Sequence, residues 1–298
     1  MARLRIDLAY NGKDFHGWAV QPDRRTVQGE IETALARILR GTEQPPHLTV
    51  AGRTDAGVHA SHQVCHLDVS EAALERCLGH MNTTPVEALT LRLSRMLPDD
   101  IAIHRITVAP AGFDARFSAL ERTYVYRICD DAFGWDPRQR DYVWRIDKQL
   151  DIDAMNAASH MMLGLHDFGS FAIANPGGTT IREVKVASWQ RAQTHELVPS
   201  PASYSTPEIE GGLLCFTIVA DAFARNMVRS LVGACVQLGL HKRSVDWFAQ
   251  KMAEPLREGS TGPIAPQGLT LEHVEYPADG ELAARAERIR AKRTLETL

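Results

Sequence analysis

The chain has 298 residues, of which 44% are hydrophobic and 23% are charged, a globular composition with enough apolar residues for a sizeable core. Its formal net charge of −4 argues against a protein that binds nucleic acid through overall charge. A basic cleft can still lie on an acidic protein, because phosphates meet only the local field. No apolar run approaches the roughly 18 residues of a membrane span, and residues 1–7 are too charged for a secretion signal, so we expect a cytoplasmic protein.

The first half of the chain shows alternating strands and amphipathic helices. Polar–apolar alternation predicts a strand over residues 4–10. Thr26 is a typical N-cap residue for a helix that ends at Gly41. The remaining elements predicted here are strands near 47–52 and 62–69, a helix that opens near Ser70, and a strand near 101–109.

The second half repeats this order of elements without repeating the sequence. We predict a strand over 122–128, a helix over 151–163, strands near 181–190 and 212–220, a helix over 224–239 and a strand over 269–276. Both halves are therefore β-α-β-β-α-β, the ferredoxin-like order, and the fold class is α+β. The predicted divisions are residues 1–112, residues 113–276 and a charged helical tail, 277–298, that lies on the surface or frays. Turn-rich loops interrupt the scheme at 175–178 and at 199–207.

Cysteine and histidine residues give little support for a metal site. The five cysteines are scattered and never spaced C-x-x-C, which indicates reduced, buried thiols. One group, His59, His62, Cys65 and His66, resembles a metal-binding cluster. Strand alternation sends Cys65 and His66 to opposite faces, which disfavours zinc. The phosphate-binding, dinucleotide-binding and nucleophile-elbow glycine motifs are absent from the sequence.

The segment Ala51–Ala60 is the strongest candidate for a functional loop. It places Arg53 and Asp55 two residues apart between glycines, with an apolar run before it and an alternating run after it. A strand end followed by a tight loop is a rigid way to present a carboxylate to a ligand. The same residues are also consistent with an ordinary turn and a solvated ion pair, and the segment alone leaves both interpretations open.

Three other segments combine aromatic rings with cations. Residues 10–18 form a glycine-punctuated loop with Arg24 and Arg25 just beyond it, and Arg116 lies before a strand that carries Tyr124. Rings beside cations suit stacked bases and phosphates, although packed turns and a half-buried edge strand explain the same patterns. In the apolar helix predicted over 224–239, Arg225 and Arg229 are four residues apart and should point the same way. A charge in such a helix needs an anionic partner, either a structural or a catalytic carboxylate.

The ordered set of motifs resembles the TruA family of tRNA pseudouridine synthases. The resemblance runs from about Leu4 to Tyr276. The segments that carry it are Ala-Gly-Arg53-Thr-Asp55-Ala-Gly-Val-His, Phe113-x-Ala-Arg116-Phe, Arg122-x-Tyr124-x-Tyr126 and Met227-Val228-Arg229-x-x-Val232-Gly233, supported by Gly17-Trp18, Arg25-Thr26-Val27-Gln28, residues 165–171 and residues 268–271.

The resemblance implies a fold, a reaction and a set of site residues. Members isomerise uridine to pseudouridine at positions 38, 39 and 40 of the tRNA anticodon stem-loop, as homodimers and with no cofactor or metal. The implied fold has an extended, mainly antiparallel central sheet with the active-site cleft between its halves. The implied roles are Asp55 as nucleophile, Arg229 as its partner, Arg53 in the same site and Tyr124 stacked on the target base. Arg24, Arg25, Arg116 and Arg225 are candidates for phosphate contacts.

The sequence departs from the family pattern in places that concern the grip on tRNA more than the chemistry. Ala19-Val20 follows Gly17-Trp18 where glutamine is more common, and the loops at 175–178 and near 200 and the tail after Tyr276 differ. Two competing hypotheses are a non-catalytic tRNA-binding protein on the same scaffold and a metal-dependent hydrolase that uses the His59–His66 cluster. A binder does not need the carboxylate of Asp55, which favours the enzyme.

Overall fold

The computed structural model describes residues 1–41, 44–131, 134–174, 177–193 and 210–289. The loop predicted at 199–207, part of the turn at 175–178 and the tail beyond 289 lie outside the described residues. The strands are β1 (Ala2–Tyr10), β2 (Leu48–Val50), β3 (His59–Val69), β4 (Ile101–Val108), β5 (Glu121–Cys129), β6 (Trp144–Arg145), β7 (Gly164–Asp167), β8 (Ile181–Arg191), β9 (Leu214–Ala220) and β10 (Leu269–Glu275). The helices are α1 (Val27–Ile38), α2 (Glu71–Arg76), α3 (Pro85–Met96), α4 (Ile152–His160), α5 (Met227–Gly239), α6 (Val245–Ala253) and α7 (Leu282–Ile289).

The chain forms two compact units. The first contains Met1–Arg122 and the described residues from Leu271 onward, and the second contains Thr123–Thr270. Strand β1 pairs antiparallel with β3 and β4, β2 with β3, and β8 with β7 and β9, whereas β5 and β6 are parallel. The predicted α+β class is confirmed. No helix among the described residues is both long and apolar enough to cross a membrane.

The first unit has the strand order β4-β1-β3-β10, with the short β2 also paired to β3. Its register places Ile6 of β1 between Cys65 of β3 and Ile106 of β4. Alternate residues of β1 are apolar and buried, and so is one side of α1 and one side of α3. These buried residues are Leu4, Ile6 and Leu8 of β1, Val27, Ile31 and Leu35 of α1, and Leu89 and Leu93 of α3. One hydrophobic layer therefore joins the sheet and the two helices.

The second unit has the order β5-β9-β8-β7, with β6 added to β5. Trp189 of β8 stacks on Phe216 of β9 with 4.7 Å between ring centroids, and Phe171 stacks on Phe248 of α6 at 5.2 Å. Helix α5 is buried over most of its surface. The predicted helix began at residue 224, but Asn226 has a left-handed φ of 65°, so regular helix starts only at Met227.

Two helices were missing from the sequence prediction. Helix α3 follows a capping box, in which the Thr84 hydroxyl accepts from the Glu87 N–H and the Glu87 carboxylate accepts from the Thr84 N–H. Helix α6 begins after Ser244, whose hydroxyl accepts from the Trp247 N–H. Both caps are readable as Ser or Thr before a helical run, and this signal could have identified them.

The described part of the C-terminal tail packs on the first unit. Leu282 and Ala286 lie one helical turn apart in α7 and are buried, and the Ser118 hydroxyl donates to the Leu282 carbonyl over 3.2 Å. The sequence suggested a surface or frayed helix because it has no continuous apolar face.

A buried carboxylate on β1 makes the free energy of unfolding depend on pH. Asp7 accepts from Arg5 Nη2 at 2.7 Å and lies 3.1 Å from His62 Nε2. Burial alone would raise its pKa, but the bonds to His62 and Arg5 outweigh it and hold the pKa at about 2. Because the folded value is lower than the unfolded one, the stabilisation is present above about pH 4 and is lost as the pH falls through 2.

We therefore expect Asp7→Asn to lower the free energy of unfolding by about 2 kcal/mol at pH 7. Urea unfolding from pH 7 to pH 2.5 measures this difference, which should shrink below pH 4. The matched control is Asp68→Asn, because the Asp68–Arg3 pair is 46% and 36% exposed and should contribute much less. A difference for Asp7→Asn that is independent of pH would contradict the argument.

Candidate active site

The loop that carries Arg53 and Asp55 joins β2 to β3 and is held by backbone hydrogen bonds. The Trp18 N–H donates to the Thr54 carbonyl at 3.1 Å, and the Gly57 N–H donates to the Phe15 carbonyl at 3.1 Å. Within the loop, the Val58 N–H donates to the Asp55 carbonyl. The glycine-punctuated segment 10–18 is therefore the support of this loop.

Close packing at Gly17 explains why a glycine precedes Trp18. Gly17 has a φ of +91°, and a Cβ there would lie 2.8 Å from the Thr54 carbonyl oxygen. Phe15 and Trp18 are both buried on either side of it. The two rings are core residues, as their apolar character suggested, and they fix the position of the segment that supports the loop.

Loop side chains alternate between the interior and the surface. Thr54 is buried, whereas its neighbours Arg53 and Asp55 are exposed and half-buried respectively. The Thr54 hydroxyl lies 2.7 Å from the Tyr10 hydroxyl, and Gln63 Nε2 donates both to Tyr10 Oη at 3.3 Å and to the Gly52 carbonyl at 2.9 Å. This buried network holds the loop at Thr54 and at Gly52.

Replacing Tyr10 by phenylalanine should loosen this support. Removing the hydroxyl leaves Thr54 and Gln63 each short of a partner, so we expect a loss of about 1–2 kcal/mol in stability and a several-fold fall in kcat. The control is Tyr276→Phe, which deletes another buried hydroxyl of the first unit, one that donates to the Ala115 carbonyl at 2.6 Å. Urea unfolding and single-turnover kinetics would separate the two. Equal kcat in both variants would show that the network does not position the loop.

Arg122 is a residue of the loop's surroundings whose role sequence reasoning missed. Its side chain is buried, and Nη2 donates to the Ala51 carbonyl at 2.7 Å and to the Arg116 carbonyl at 3.0 Å. It therefore ties the start of the loop to the segment before β5. The sequence shows that Arg122 shares a predicted strand with two tyrosines, but it does not show which carbonyl groups the arginine binds.

The predicted residues of the second unit surround α5 and the strand β5. Tyr124 is buried and meets Phe223 edge to face, with 5.1 Å between centroids. Arg229 is half-buried, and its Nε donates to the Ile264 carbonyl at 2.7 Å. The neighbouring Tyr126 hydroxyl donates to the Ala265 carbonyl at 2.7 Å. Burial raises the pKa of Tyr126 far above its ordinary value, against the nearby positive charge of Arg229.

The Ile264 carbonyl therefore helps to orient Arg229, while the adjacent Ala265 carbonyl binds Tyr126. The hydrogen bond from Arg229 Nε restricts the direction of the guanidinium. The sequence argued that an arginine in this apolar helix needs an anion, and a carbonyl supplies part of that need. Arg225 precedes α5 and pairs through its backbone with Ile173, so the prediction that both arginines share a helical face is wrong.

The four arginines predicted to contact phosphates lie in different environments. Arg225 and Arg116 are exposed, and Arg116 lies over the Phe117 ring at 5.1 Å. Arg24 is exposed with Nη1 3.3 Å from His16 Nε2. Arg25 donates to both oxygens of Asp100, at 2.7 and 2.9 Å, and to Glu30, and it covers the Phe15 ring. These bonds favour a structural role for Arg25 over a phosphate contact.

The histidines and cysteine considered for zinc have separate partners. His59 Nδ1 accepts from the Gly12 N–H at 3.0 Å, and His66 Nδ1 accepts from the Ala115 N–H at 3.0 Å. Burial, with the nearby Arg3, lowers the pKa of His66, and burial raises that of Cys65. Within the described ranges no group of three or more His, Cys, Asp or Glu side chains is placed to hold a metal ion. The described cysteines are all free thiols.

The predicted site residues thus fall into two sets. Arg53, Asp55, Arg24, Arg25 and Arg116 belong to the first unit, and Tyr124, Arg225 and Arg229 belong to the second. Each set contains a charged residue that is held by hydrogen bonds to the backbone. Asp55 lies on a loop held by backbone hydrogen bonds, and Arg229 donates to the Ile264 carbonyl. Carboxylates and guanidinium groups are the residue types expected of an enzyme that acts on a polyanionic substrate.

Comparisons with known proteins identify the family. Residues 158–277 match the model of a tRNA pseudouridine synthase family. The chain is 73% identical to tRNA pseudouridine synthase A of Bifidobacterium animalis subsp. lactis (strain AD011), over 99% of this chain and 100% of that protein. It is 46% identical to the Streptomyces griseus protein of the same name, over 98% of this chain and 94% of that one, and 42% identical to the one from Cutibacterium acnes, over 99% and 96%. The chain belongs to the tRNA pseudouridine synthase family and is an isomerase that acts on tRNA.

Proposed function

We propose that this enzyme forms pseudouridine in the tRNA anticodon stem-loop, at positions 38, 39 and 40, with Asp55 as its nucleophile. The observation that carries the proposal is the Asp55 loop itself. The loop is held by four fixed points, the Trp18 and Gly57 amides, the Thr54 hydroxyl and Arg122. Asp55 is half-buried, so a substrate can reach it.

The chemistry asks three things of such a site. The carboxylate must be ionised to form a covalent intermediate. The uridine must leave the RNA stack, and an aromatic ring such as Tyr124 can replace the stacking that is lost. The glycosidic bond to N1 must then break and the base must rejoin the ribose through C5, with a proton lost from C5 and a proton gained at N1. Attack of the carboxylate on the base and attack on the sugar C1′ both satisfy these requirements.

The other proposed roles follow from position and charge. Arg53 is exposed beside Asp55 and faces the ligand, and Arg229 supplies an oriented positive charge. Arg24, Arg116 and Arg225 are exposed and suit contacts that fix the register of the RNA without reading its sequence. We also propose a homodimer, a cytoplasmic location and catalysis without cofactor or metal, as the family resemblance implies. The predicted divisions at 112 and 276 likewise remain a proposal.

Mapping of pseudouridine in tRNA tests the target positions. A strain that lacks this gene should lose pseudouridine at 38, 39 and 40, and the intact gene on a plasmid should restore it. Modification that persists at all three positions in the deletion strain, or that disappears elsewhere in the tRNA, would overturn the assignment. In vitro, the purified protein should modify an unmodified tRNA transcript without added metal, with EDTA-treated protein as the comparison.

A further inference from the structure

An arginine-lined groove lies between two helices of the first unit, away from any residue assigned to the reaction. It has a volume of about 580 Å³ and is lined by Arg37 and Arg40 at the end of α1, by Arg92 and Arg95 of α3, and by Ile38 and Met96. We call these six residues the arginine groove. Arg92 and Arg95 are three residues apart in α3, so both project from one face of that helix. Arg37 and Arg40 have the same spacing across the end of α1, where Arg40 lies just beyond the last helical residue, Ile38.

The positive charge of the arginine groove is not neutralised by the described residues around it. Its lining contains four arginines and no carboxylate. Arg40 Nε donates to the Arg37 carbonyl at 3.1 Å. Among the residues that the structure describes, Arg37, Arg92 and Arg95 have no ion pair within 4.0 Å and no side-chain hydrogen bond. By contrast, Arg3 and Arg191 each grip both oxygens of one aspartate.

A fifth arginine extends the charge beside the groove. Arg76, at the end of α2, directs Nη2 towards the carbonyls of Arg40 and Gly41, at 3.4 and 3.5 Å. The positive charges of Arg92 and Arg76 both act on the Cys77 thiol and oppose the rise in pKa that its burial causes. The chain as a whole carries a net charge of −4, so this concentration of one sign is local.

Helix stabilisation accounts for only part of this arrangement. An arginine in the last turn interacts favourably with the helix dipole, and Arg37, Arg76 and Arg95 occupy such positions in α1, α2 and α3. That explanation requires one exposed cation on each helix end. It does not require Arg92, one turn earlier, or the convergence of two arginine pairs on one groove. Like charges brought together cost free energy unless an anion meets them.

We propose that the arginine groove binds the phosphodiester backbone of tRNA, at a part of the molecule distinct from the target base. This inference rests on tRNA being the substrate, and it adds a second contact region to the proposed function. Guanidinium groups suit phosphates because their planar forks donate two parallel hydrogen bonds. The Arg92–Arg95 pair of α3 and the Arg37–Arg40 pair at the end of α1 offer several donors along an extended backbone, and Ile38 and Met96 give the sugars an apolar floor. Contacts of this kind strengthen binding uniformly and carry no sequence information.

The salt dependence of tRNA binding tests the proposal. The variant is Arg92→Gln/Arg95→Gln, and the matched control with the same change in net charge is Arg257→Gln/Arg288→Gln, at two exposed arginines outside the groove. The affinity for a full-length tRNA transcript is measured by fluorescence anisotropy between 50 and 300 mM KCl. We expect the groove variant to bind roughly three- to tenfold more weakly at 100 mM salt and its log–log salt slope to fall by about 1.5, while the control changes little.

Two further variants make the outcome decisive. Arg92→Lys/Arg95→Lys keeps the charge and should retain most of the salt slope, whereas Arg92→Glu/Arg95→Glu should weaken binding more than the glutamine variant does. Circular dichroism and thermal unfolding confirm that each variant is folded. Unchanged tRNA affinity in the folded glutamine and glutamate variants, or an equal loss in the control, would overturn the proposal and leave the groove to another anion, such as an acidic protein segment.

The design separates this inference from the proposed function. Binding is measured without turnover, and the rate at saturating tRNA should be the same in the groove variant and in the unmodified protein. If the protein failed to modify positions 38–40 while the groove variant still lost affinity and salt slope, only the assignment of target positions would fail. If modification were correct and the groove variant bound normally, only the groove proposal would fail.

Discussion

Replacing Asp55 by asparagine should reduce pseudouridine formation by about 10⁴-fold or more while leaving the fold and tRNA affinity close to those of the unmodified protein. The amide has the same shape as the carboxylate but cannot act as an anionic nucleophile. The bonds that shape the loop come from the Thr54 and Phe15 carbonyls, the Thr54 hydroxyl and Arg122, so the loop should survive the change. Single-turnover release of tritium from 5-³H-uridine tRNA measures the rate.

Asp99→Asn is the matched control for this substitution. Asp99 is an exposed aspartate of the same unit and lies outside the loop, so its replacement makes the same change in charge without touching the site. Thermal unfolding and tRNA anisotropy should be unchanged in both variants. A rate for Asp55→Asn within tenfold of that of the control would end the assignment of Asp55 as nucleophile.

The sequence predicted what local patterns determine. The alternation in β1, β8 and β9 placed those strands within a few residues. Thr26 was recognisable as a cap, and the helices predicted to start near Ser70 and at residue 151 are capped there by Ser70 and Asp151, each of the three accepting from a backbone N–H three residues on. The boundary at α5 was misplaced because a left-handed φ at Asn226 has no reliable signature in a non-glycine residue. Helix α3 was missed even though Thr84, Pro85 and Glu87 form a typical N-terminal capping sequence.

The site shows the same division between local and long-range information. The glycine-flanked pair Arg53 and Asp55 was identifiable as a loop, and Thr54 could be placed inward once the alternation was known. What holds the loop was not readable: Tyr10, Gln63 and Arg122 reach it from 44, 11 and 71 residues away along the chain, counted to Thr54, Gly52 and Ala51. Such partners depend on strand register, and a sequence pattern alone does not specify which buried polar groups will meet.

Replacing Arg229 by alanine should lower kcat by about 10²-fold with little change in KM for tRNA. In the proposed function the guanidinium of Arg229 stabilises the charged form of the catalytic carboxylate, so its loss affects the chemical step more than binding. Its Nε bond to the Ile264 carbonyl fixes the direction of the group, and lysine lacks the planar fork of donors that makes this orientation possible. Arg229→Lys should therefore recover only part of the rate.

Arg225→Ala provides the contrast within the same segment. Arg225 is exposed before α5 and is a proposed phosphate contact, so its replacement should raise KM and reduce the salt slope by about 1 while leaving kcat unchanged.

A double variant tests whether Arg229 acts through the nucleophile. Asp55→Asn/Arg229→Ala should be no slower than Asp55→Asn alone, because a guanidinium that serves the carboxylate has no further function once that carboxylate is gone. Additive losses would show that Arg229 acts on the RNA instead, and a KM effect without a kcat effect would place it among the phosphate contacts.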